Sequence, residues 1–301
     1  MREQVGRVVV AVVAAGVVAT GCGGPNQAGS AVIVGSEAVS LETVQSQVET
    51  ALGKPEQLAQ LAQQGGSPAD VARSIVTREV LHDLLTRRAA DEGIVVTDAQ
   101  VEAELTENGG ADAVLESSLY DAATLRDRVR DDLIAAQLAE REVGGLSVTA
   151  DLVAATSRDE ADRVAARLAA GGPEAEALFA DQQTSARGQV YQAVTTPDAA
   201  ATVLFGAPEG SVVSFQPSPE QSTWIVFRVV DRRTDAAAPA EAVSSISQQQ
   251  LVAIGERLLQ PVADEVGVTV NPRYGVWDPI QLRVVGEDEL SGAILAPADA
   301  G

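Results

Sequence analysis

The sequence predicts an α+β protein, in which a mostly helical part is followed by a small α/β unit and then by a further long helix. Apolar residues recur at helical spacing along residues 68–92, and no other proline interrupts the chain from there to Pro173. The β-branched and aromatic runs at residues 212–215 and 224–230 are typical of strands. Residues 243–266 again repeat apolar side chains with a helical period, so helix resumes after the strands.

The first residues have the layout of a secretory signal. Arg2 and Arg7 precede the apolar run 8–19, which is shorter than the ~18 residues expected of a spanning helix. Small residues then lead to Cys22, the only cysteine, in a pattern similar to a bacterial lipobox. We therefore expect a signal peptide at 1–21 and acylation of Cys22 by palmitate-type lipid, on a tether at 22–30. The alternative is an ordinary signal peptide with an incidental cysteine.

The longest predicted helix carries clear start and stop signals. Ser67 fits the N-cap, Pro68 the first helical position and Asp70 the first turn. Gly93 ends the helix, and Thr97 opens the next one with a capping box. The apolar stripe comprises Val71, Ile75, Val76, Val80, Leu81, Leu84 and Leu85. A helix of ~25 residues spans about 37 Å, so other segments must pack on this stripe.

Other elements flank this helix in the first part of the chain. Residues 31–40 predict two short β-segments around Gly35-Ser36, and Ser40 can cap a helix over the next twelve residues. A further amphipathic helix is predicted at 121–142. Its neighbouring Asp131 and Asp132 point in different directions from the helix, and we interpret both as solvated surface residues.

The second part of the chain changes pattern. Residues 147–235 predict a small α/β unit, in which a strand is followed by a helix capped at Ser157. After a linker, the long helix 243–266, which Pro261 can kink or shorten, leads into a short strand at 268–270. The last residues, 286–301, are acidic and small, and we expect them to be disordered.

Composition and motifs exclude several function classes. A formal net charge of −22 disfavours nucleic-acid binding, which needs clustered Lys and Arg. The sequence contains no phosphate loop and no cluster of metal ligands, so we expect neither cofactor nor metal. The single histidine, His82, lies in the middle of the long helix and fits an ordinary helix position. We therefore predict no catalytic residue.

Three segments together resemble the N-terminal chaperone domain of SurA-type folding factors, which are related to PrsA-type lipoproteins. They are the hairpin VIVGSEAVS before a capped helix, the long helix SIVTREVLHDLLTRRAADEGI running into VVTDAQVEAEL, and the helix LRDRVRDDLIAAQLAE. The resemblance covers most of residues 31–146. It implies a helical chaperone lobe that binds unfolded polypeptides.

The α/β unit resembles the parvulin prolyl-isomerase domain that such proteins usually carry next. Leu204-Phe205-Gly206 and the last strand ending in RVVDRR fit its outline. The catalytic histidines do not fit, because Asp151 stands at the first position and Trp224 or Ile225 at the second. The resemblance thus implies a degenerate parvulin-like domain with little or no isomerase activity, serving as a spacer or a binding surface.

In that family the chain then returns to its first lobe. The resemblance implies that residues 240–285 complete the helical lobe, with 243–266 packing on the long helix and 268–270 pairing with the hairpin at 31–40. Tyr274 and Trp277 would be packing residues beside that hairpin.

These expectations favour a lipid-anchored chaperone on the outer face of the cell membrane. It would bind unfolded exported proteins without ATP, by reversible burial of their apolar segments in a cleft between the helical lobe and the α/β unit. Two alternatives stay open, namely an active prolyl isomerase and a non-enzymatic scaffold lipoprotein. The residues that contact clients are not predicted by the sequence.

Overall fold

The computed structural model describes residues 29–218, 222–237 and 243–296. The predicted signal peptide, Cys22 and the tether up to Ala28 lie outside the described residues. Within them, no helix is both long and apolar enough to cross a membrane. The fold is mixed α+β, as the sequence predicts.

Twelve α-helices and ten strands make up the described part of the chain. The helices are α1 Leu41–Leu52, α2 Pro55–Gln63, α3 Pro68–Glu92, α4 Asp98–Glu107, α5 Ala111–Ser117, α6 Ala122–Glu142, α7 Arg158–Ala170, α8 Gly172–Ala177, α9 Pro197–Ala200, α10 Val203–Gly206, α11 Gln248–Arg257 and α12 Gln260–Val266. The strands are β1 Ser30–Val34, β2 Glu37–Ser40, β3 Ser147–Ala155, β4 Ser185–Gln192, β5 Val212–Phe215, β6 Trp224–Arg233, β7 Val268–Val270, β8 Val276–Asp278, β9 Arg283–Val285 and β10 Gly292–Leu295.

Helix α3 follows the signals in its sequence. The Ser67 hydroxyl accepts a hydrogen bond from the Asp70 amide, and the Asp70 carboxylate accepts one from the Ser67 amide. Gly93 ends the helix with φ at 63°, in the left-handed region that favours glycine. Every residue of the predicted apolar stripe is buried, which makes α3 the centre of the helical part.

A small three-stranded sheet joins the N-terminal hairpin to a strand from the C-terminal part of the chain. Its order is β2-β1-β7, and β7 pairs antiparallel with β1, with Ile33 opposite Thr269. The predicted pairing of residues 268–270 with the N-terminal hairpin is thus confirmed. Beside it, Tyr274 is buried in the main apolar cluster and Trp277 packs against that cluster, as expected.

The predicted helix at 243–266 is interrupted at Pro261, as expected, but its predicted packing on α3 is wrong for its first half. It is divided into α11 and α12, because Pro261 lies at the start of a new helix and lacks the amide that would continue the first. Helix α11 packs mainly along α6, whereas α12 packs on α3. Gly255 allows this close approach, since a Cβ there would lie 1.9 Å from the Ala135 carbonyl oxygen.

A five-stranded antiparallel sheet forms the second part of the fold, in the order β10-β5-β6-β3-β4. Helix α7 covers one face of this sheet, and the other face joins the apolar cluster of α3 and α6. The expected disorder of the tail from residue 286 is wrong for its described part. Residues 292–295 form β10, because their backbone groups pair with β5. The residues from 297 onward lie outside the described range.

Candidate functional site

A cleft of about 1110 Å³ lies between the helical part and the five-stranded sheet. Its walls are the first turns of α3, the connection between α9 and α10, the end of β5, and residues 280–291. Four separate stretches of sequence therefore meet at one opening, which makes it the candidate site for a bound partner.

Part of the cleft wall consists of apolar side chains that solvent reaches. Phe215 and Leu290 are half-buried, and Pro217 is exposed. The Phe215 ring meets Phe227 edge-on, with ring centroids 6.0 Å apart, so the sheet fixes its orientation. Such surface can bury apolar groups of a partner without a rearrangement of the core.

The rim of the cleft is charged on the α3 side. The Arg73 guanidinium lies 3.0 Å from an Asp70 carboxylate oxygen and 3.2 Å from one of Glu289. One turn further along α3, the Thr77 hydroxyl accepts a hydrogen bond from the Val284 amide at 2.9 Å. These contacts hold the C-terminal segment against α3 and so define this wall.

The side chain of Arg257 is buried at the back of the cleft. Its guanidinium donates to the Ile280 carbonyl at 2.8 Å and lies near the Ala201 carbonyl. Burial lowers the pKa of Arg257 to about 10, although the carboxylate of Asp278 opposes that shift. The group stays cationic at neutral pH and links α11 to both the sheet part and the C-terminal segment.

Trp224, one of two residues at the place expected for the second parvulin histidine, is a packing residue. It is buried, and the Arg158 guanidinium lies 5.4 Å from its ring centroid. Its neighbour Ile225, the other candidate, is half-buried against the main apolar cluster. Neither side chain can exchange a proton at neutral pH.

Asp151, at the place expected for the first histidine, holds the sheet together. It is buried on β3, and its carboxylate accepts hydrogen bonds from the Gly188 amide at 2.9 Å and the Arg228 guanidinium at 2.7 Å. Both carboxylate oxygens are therefore engaged. A buried, fully paired carboxylate of this kind is a structural group.

His82 has a structural partner that sequence reasoning missed. Its Nδ1 lies 2.9 and 3.0 Å from the two carboxylate oxygens of Asp131 on α6. This hydrogen bond raises the pKa of His82, against the effect of burial. The pair joins α3 to α6 and lies away from the cleft.

The interpretation of Asp131 and Asp132 as solvated is wrong. Asp131 is buried under His82, while Asp132 is half-buried and lies 2.9 Å from Arg128, which also meets Glu256 of α11 at 3.1 Å. Burial raises the pKa of Asp132 to about 7, although Arg128 opposes the shift. The packing of α11 on α6 removes water from this carboxylate, and spacing on one helix carries no sign of that packing.

The expectation of no metal site remains a prediction. Among the described residues, no three side chains from His, Cys, Asp and Glu converge as metal ligands. The cleft lies where a client-binding cleft was expected, between the helical lobe and the α/β unit. Its lining residues were not predicted, because they come from stretches far apart in the chain.

Residues 1–139 match the model of the SurA-like N-terminal domain family. Two similar solved structures are both PrsA proteins. The foldase protein PrsA from Lactococcus lactis is 12% identical, with 81% of this chain and 95% of that chain covered and a TM-score of 0.29. The peptidylprolyl isomerase PrsA from Bacillus anthracis is 15% identical, with coverage of 65% and 99% and a TM-score of 0.26. Curated proteins gave no match.

Proposed function

We propose that the protein is a chaperone for unfolded exported polypeptides, because residues 1–139 match the model of the SurA-like N-terminal domain family. It holds apolar client segments in the cleft and releases them without nucleotide. The helical lobe comprises residues 31–146 and 240–285, and the parvulin-like unit comprises 147–235.

The observation that carries this proposal is the apolar surface left accessible in the cleft. Phe215, Leu290 and Pro217 line one wall, and charged groups around Arg73 line the rim. Complete burial of one client Leu, Val or Phe side chain contributes about 1.5–3 kcal/mol. Two or three such side chains, less the cost of ordering the client, give weak and reversible binding.

The net charge supports the same role. At −22, the chaperone repels its own copies and stays dispersed beside aggregation-prone clients. Within the cleft, however, Arg73, Arg158, Arg257 and Arg283 face Asp70, Asp288 and Glu289, so the binding surface itself carries both signs. We therefore expect clients to be recognised by their apolar segments and not by their net charge.

We further propose that Cys22 is acylated after removal of residues 1–21, which anchors the chain on the outer face of the cell membrane. The lipobox-like residues before Cys22 support this. Mass analysis of the N-terminal peptide from membranes tests it. A diacylated or triacylated Cys22 is expected, and an unmodified peptide that begins elsewhere would contradict it.

The parvulin-like unit serves binding rather than catalysis. Asp151 is engaged by Arg228 and the Gly188 amide, and Trp224 is packed under Arg158. Lowering the barrier of ~18–20 kcal/mol for X–Pro rotation needs polar groups that face the substrate. An NMR exchange assay on X–Pro peptides is expected to give the uncatalysed rate, and a rate increase with enzyme concentration would establish the isomerase alternative.

The chaperone proposal is tested by aggregation of a reduced, denatured secreted protein. A soluble form that begins at Ala28 keeps every described residue. Light scattering is expected to fall as this form approaches equimolar amounts, with and without ATP alike. Unchanged scattering at a stoichiometric excess would overturn the proposal. Recovery of one fixed, folded partner from membranes would favour a scaffold protein instead.

A further inference from the structure

The last strand of the described chain covers one edge of the five-stranded sheet. Strand β10 pairs antiparallel with β5, with Gly292 opposite Phe215 and Leu295 opposite Val212. It lies at the end of the strand order β10-β5-β6-β3-β4. Because β5 pairs with β6 on its other side, β10 alone keeps β5 from being an edge strand.

Strand β10 is bound to this edge mainly by backbone hydrogen bonds to β5. Ala293 and Leu295 are exposed, and Ile294 is only half-buried. At its start, the Ser291 carbonyl accepts a hydrogen bond from the Gln216 amide at 3.0 Å. A four-residue strand with so little buried side chain opens at low cost in free energy.

Gly292 fixes the approach of β10 to β5. A Cβ at this position would lie 1.9 Å from the Ser214 carbonyl oxygen and 2.8 Å from the Phe215 Cα. Both are backbone atoms, which cannot rotate away as the end of a side chain can. A segment that pairs with β5 in this register therefore needs glycine at the position opposite Phe215.

The edge of β5 is continuous with the cleft. Phe215, Gln216 and Pro217 line the cleft and follow directly on β5, while Leu290 and Ser291 line it and lead directly into β10. An extended chain that paired with β5 in the place of β10 would thus continue directly into the cleft.

We propose that the edge of β5 binds an extended apolar client segment by strand addition, and that β10 is an internal substitute for that segment which occupies the edge in the absence of a client. This rests on the proposed chaperone function and extends its site. The preferred client segment is uncharged, carries a glycine and then small or branched apolar residues, and runs antiparallel to β5, as Gly292–Leu295 does.

The test displaces β10 and offers the edge a matching peptide. In the chain from Ala28 to Gly301, Gly292→Val introduces the clash with Ser214, and Ile294→Asp independently places a charge on the half-buried face of β10. Fluorescence anisotropy measures binding of a labelled peptide with the sequence LSGAILA. Both variants are expected to bind it at least tenfold more tightly than the unaltered chain.

Two controls make the result specific. Ala293→Val changes an exposed side chain of β10 and is expected to leave peptide binding at the level of the unaltered chain. The peptide LSVAILA, which carries the clashing side chain itself, is expected not to bind any variant. Thermal melting checks that Gly292→Val and Ile294→Asp keep the remaining fold.

Folded variants that bind LSGAILA no more tightly than the unaltered chain would overturn the inference. Dimers of Gly292→Val in light scattering, without peptide binding, would also overturn it, since the edge would then accept a second copy of this chain. Aggregation suppression by the unaltered chain, measured in the same preparations, separates the two proposals. If suppression occurs and no variant binds peptide, only the strand-addition proposal fails; if suppression is absent, the chaperone proposal fails.

Discussion

Gly255 is the position where a single methyl group tests how the C-terminal helix closes the helical part. Gly255→Ala places a Cβ 1.9 Å from the Ala135 carbonyl oxygen and 2.4 Å from its carbon. Ordinary contact begins near 3.4 Å, so α11 must move away from α6 by roughly 1.5 Å, or both helices must bend.

The two opposing effects on stability differ in size. Alanine in place of glycine favours a helix by about 1 kcal/mol. Overpacking costs about 1–3 kcal/mol, and the upper end applies here because the obstacle is backbone, which cannot rotate away. Separation of the helices also loosens the buried side chains of Leu251, Ile254 and Leu258. Taking the upper end of the overpacking cost less the helix gain, we expect Gly255→Ala to lower the free energy of unfolding by about 2 kcal/mol.

Urea unfolding of the soluble form measures this difference. The matched control is Gln249→Ala, which introduces the same residue at an exposed position of the same helix. It is expected to change the free energy of unfolding by less than about 0.5 kcal/mol. A Gly255→Ala variant as stable as the unaltered chain would refute backbone contact between α11 and α6.

Three further predictions concern charged groups. Lys54, the only lysine, donates to the carbonyls of Leu115, Ser118 and Tyr120 at 2.9, 2.9 and 2.6 Å. In urea unfolding, Lys54→Met is therefore expected to lower the free energy of unfolding by about 2–3 kcal/mol. A decrease below about 0.5 kcal/mol would contradict this prediction. The raised pKa of His82 means that its bond to Asp131 stabilises the fold fully below pH 6.5 and is lost as pH rises through the folded pKa. In a pH series of thermal melts, His82→Gln is expected to lower the free energy of unfolding by at most about 1 kcal/mol at pH 5.5 and to change it little at pH 9. A larger loss at pH 9 than at pH 5.5 would contradict the stabilising role of this bond. The folded pKa of Asp132, about 7, exceeds its ordinary value of 3.8, so the fold loses stability as pH rises from about 4 through 7. The side chain is 34% exposed, so we expect the free energy of unfolding of Asp132→Asn to rise by only about 1–2 kcal/mol relative to the unaltered chain over that range. A parallel pH dependence of the two proteins would contradict this prediction.

Local signals predicted local structure well. The caps at Ser67 and Thr97 and the stop at Gly93 lie where the sequence places them, because each depends on residues within one turn. The pairing of residues 268–270 with the hairpin came from the family resemblance. Periodicity alone carries no information about which distant strand a three-residue segment joins.

Tertiary packing explains what the sequence did not predict. The choice of α6 over α3 as the partner of α11 depends on Gly255, which in sequence is only an unfavourable residue in a helix. Strand β10 lies in a stretch of small residues, and its order comes from pairing with β5, far away in the chain. The residues that line the cleft come together through the same distant contacts, so no local pattern could indicate them.

Photo-crosslinking tests most directly whether unfolded clients occupy the cleft. A photoreactive amino acid replaces Arg283 or Gln216, both in the cleft wall, or Gln249, exposed on α11, as a control. With a reduced, unfolded secreted protein, crosslinks are expected from the first two positions, absent from the third, and lost once the client has refolded. Equal crosslinking from all three positions, or none from the cleft, would contradict client binding there.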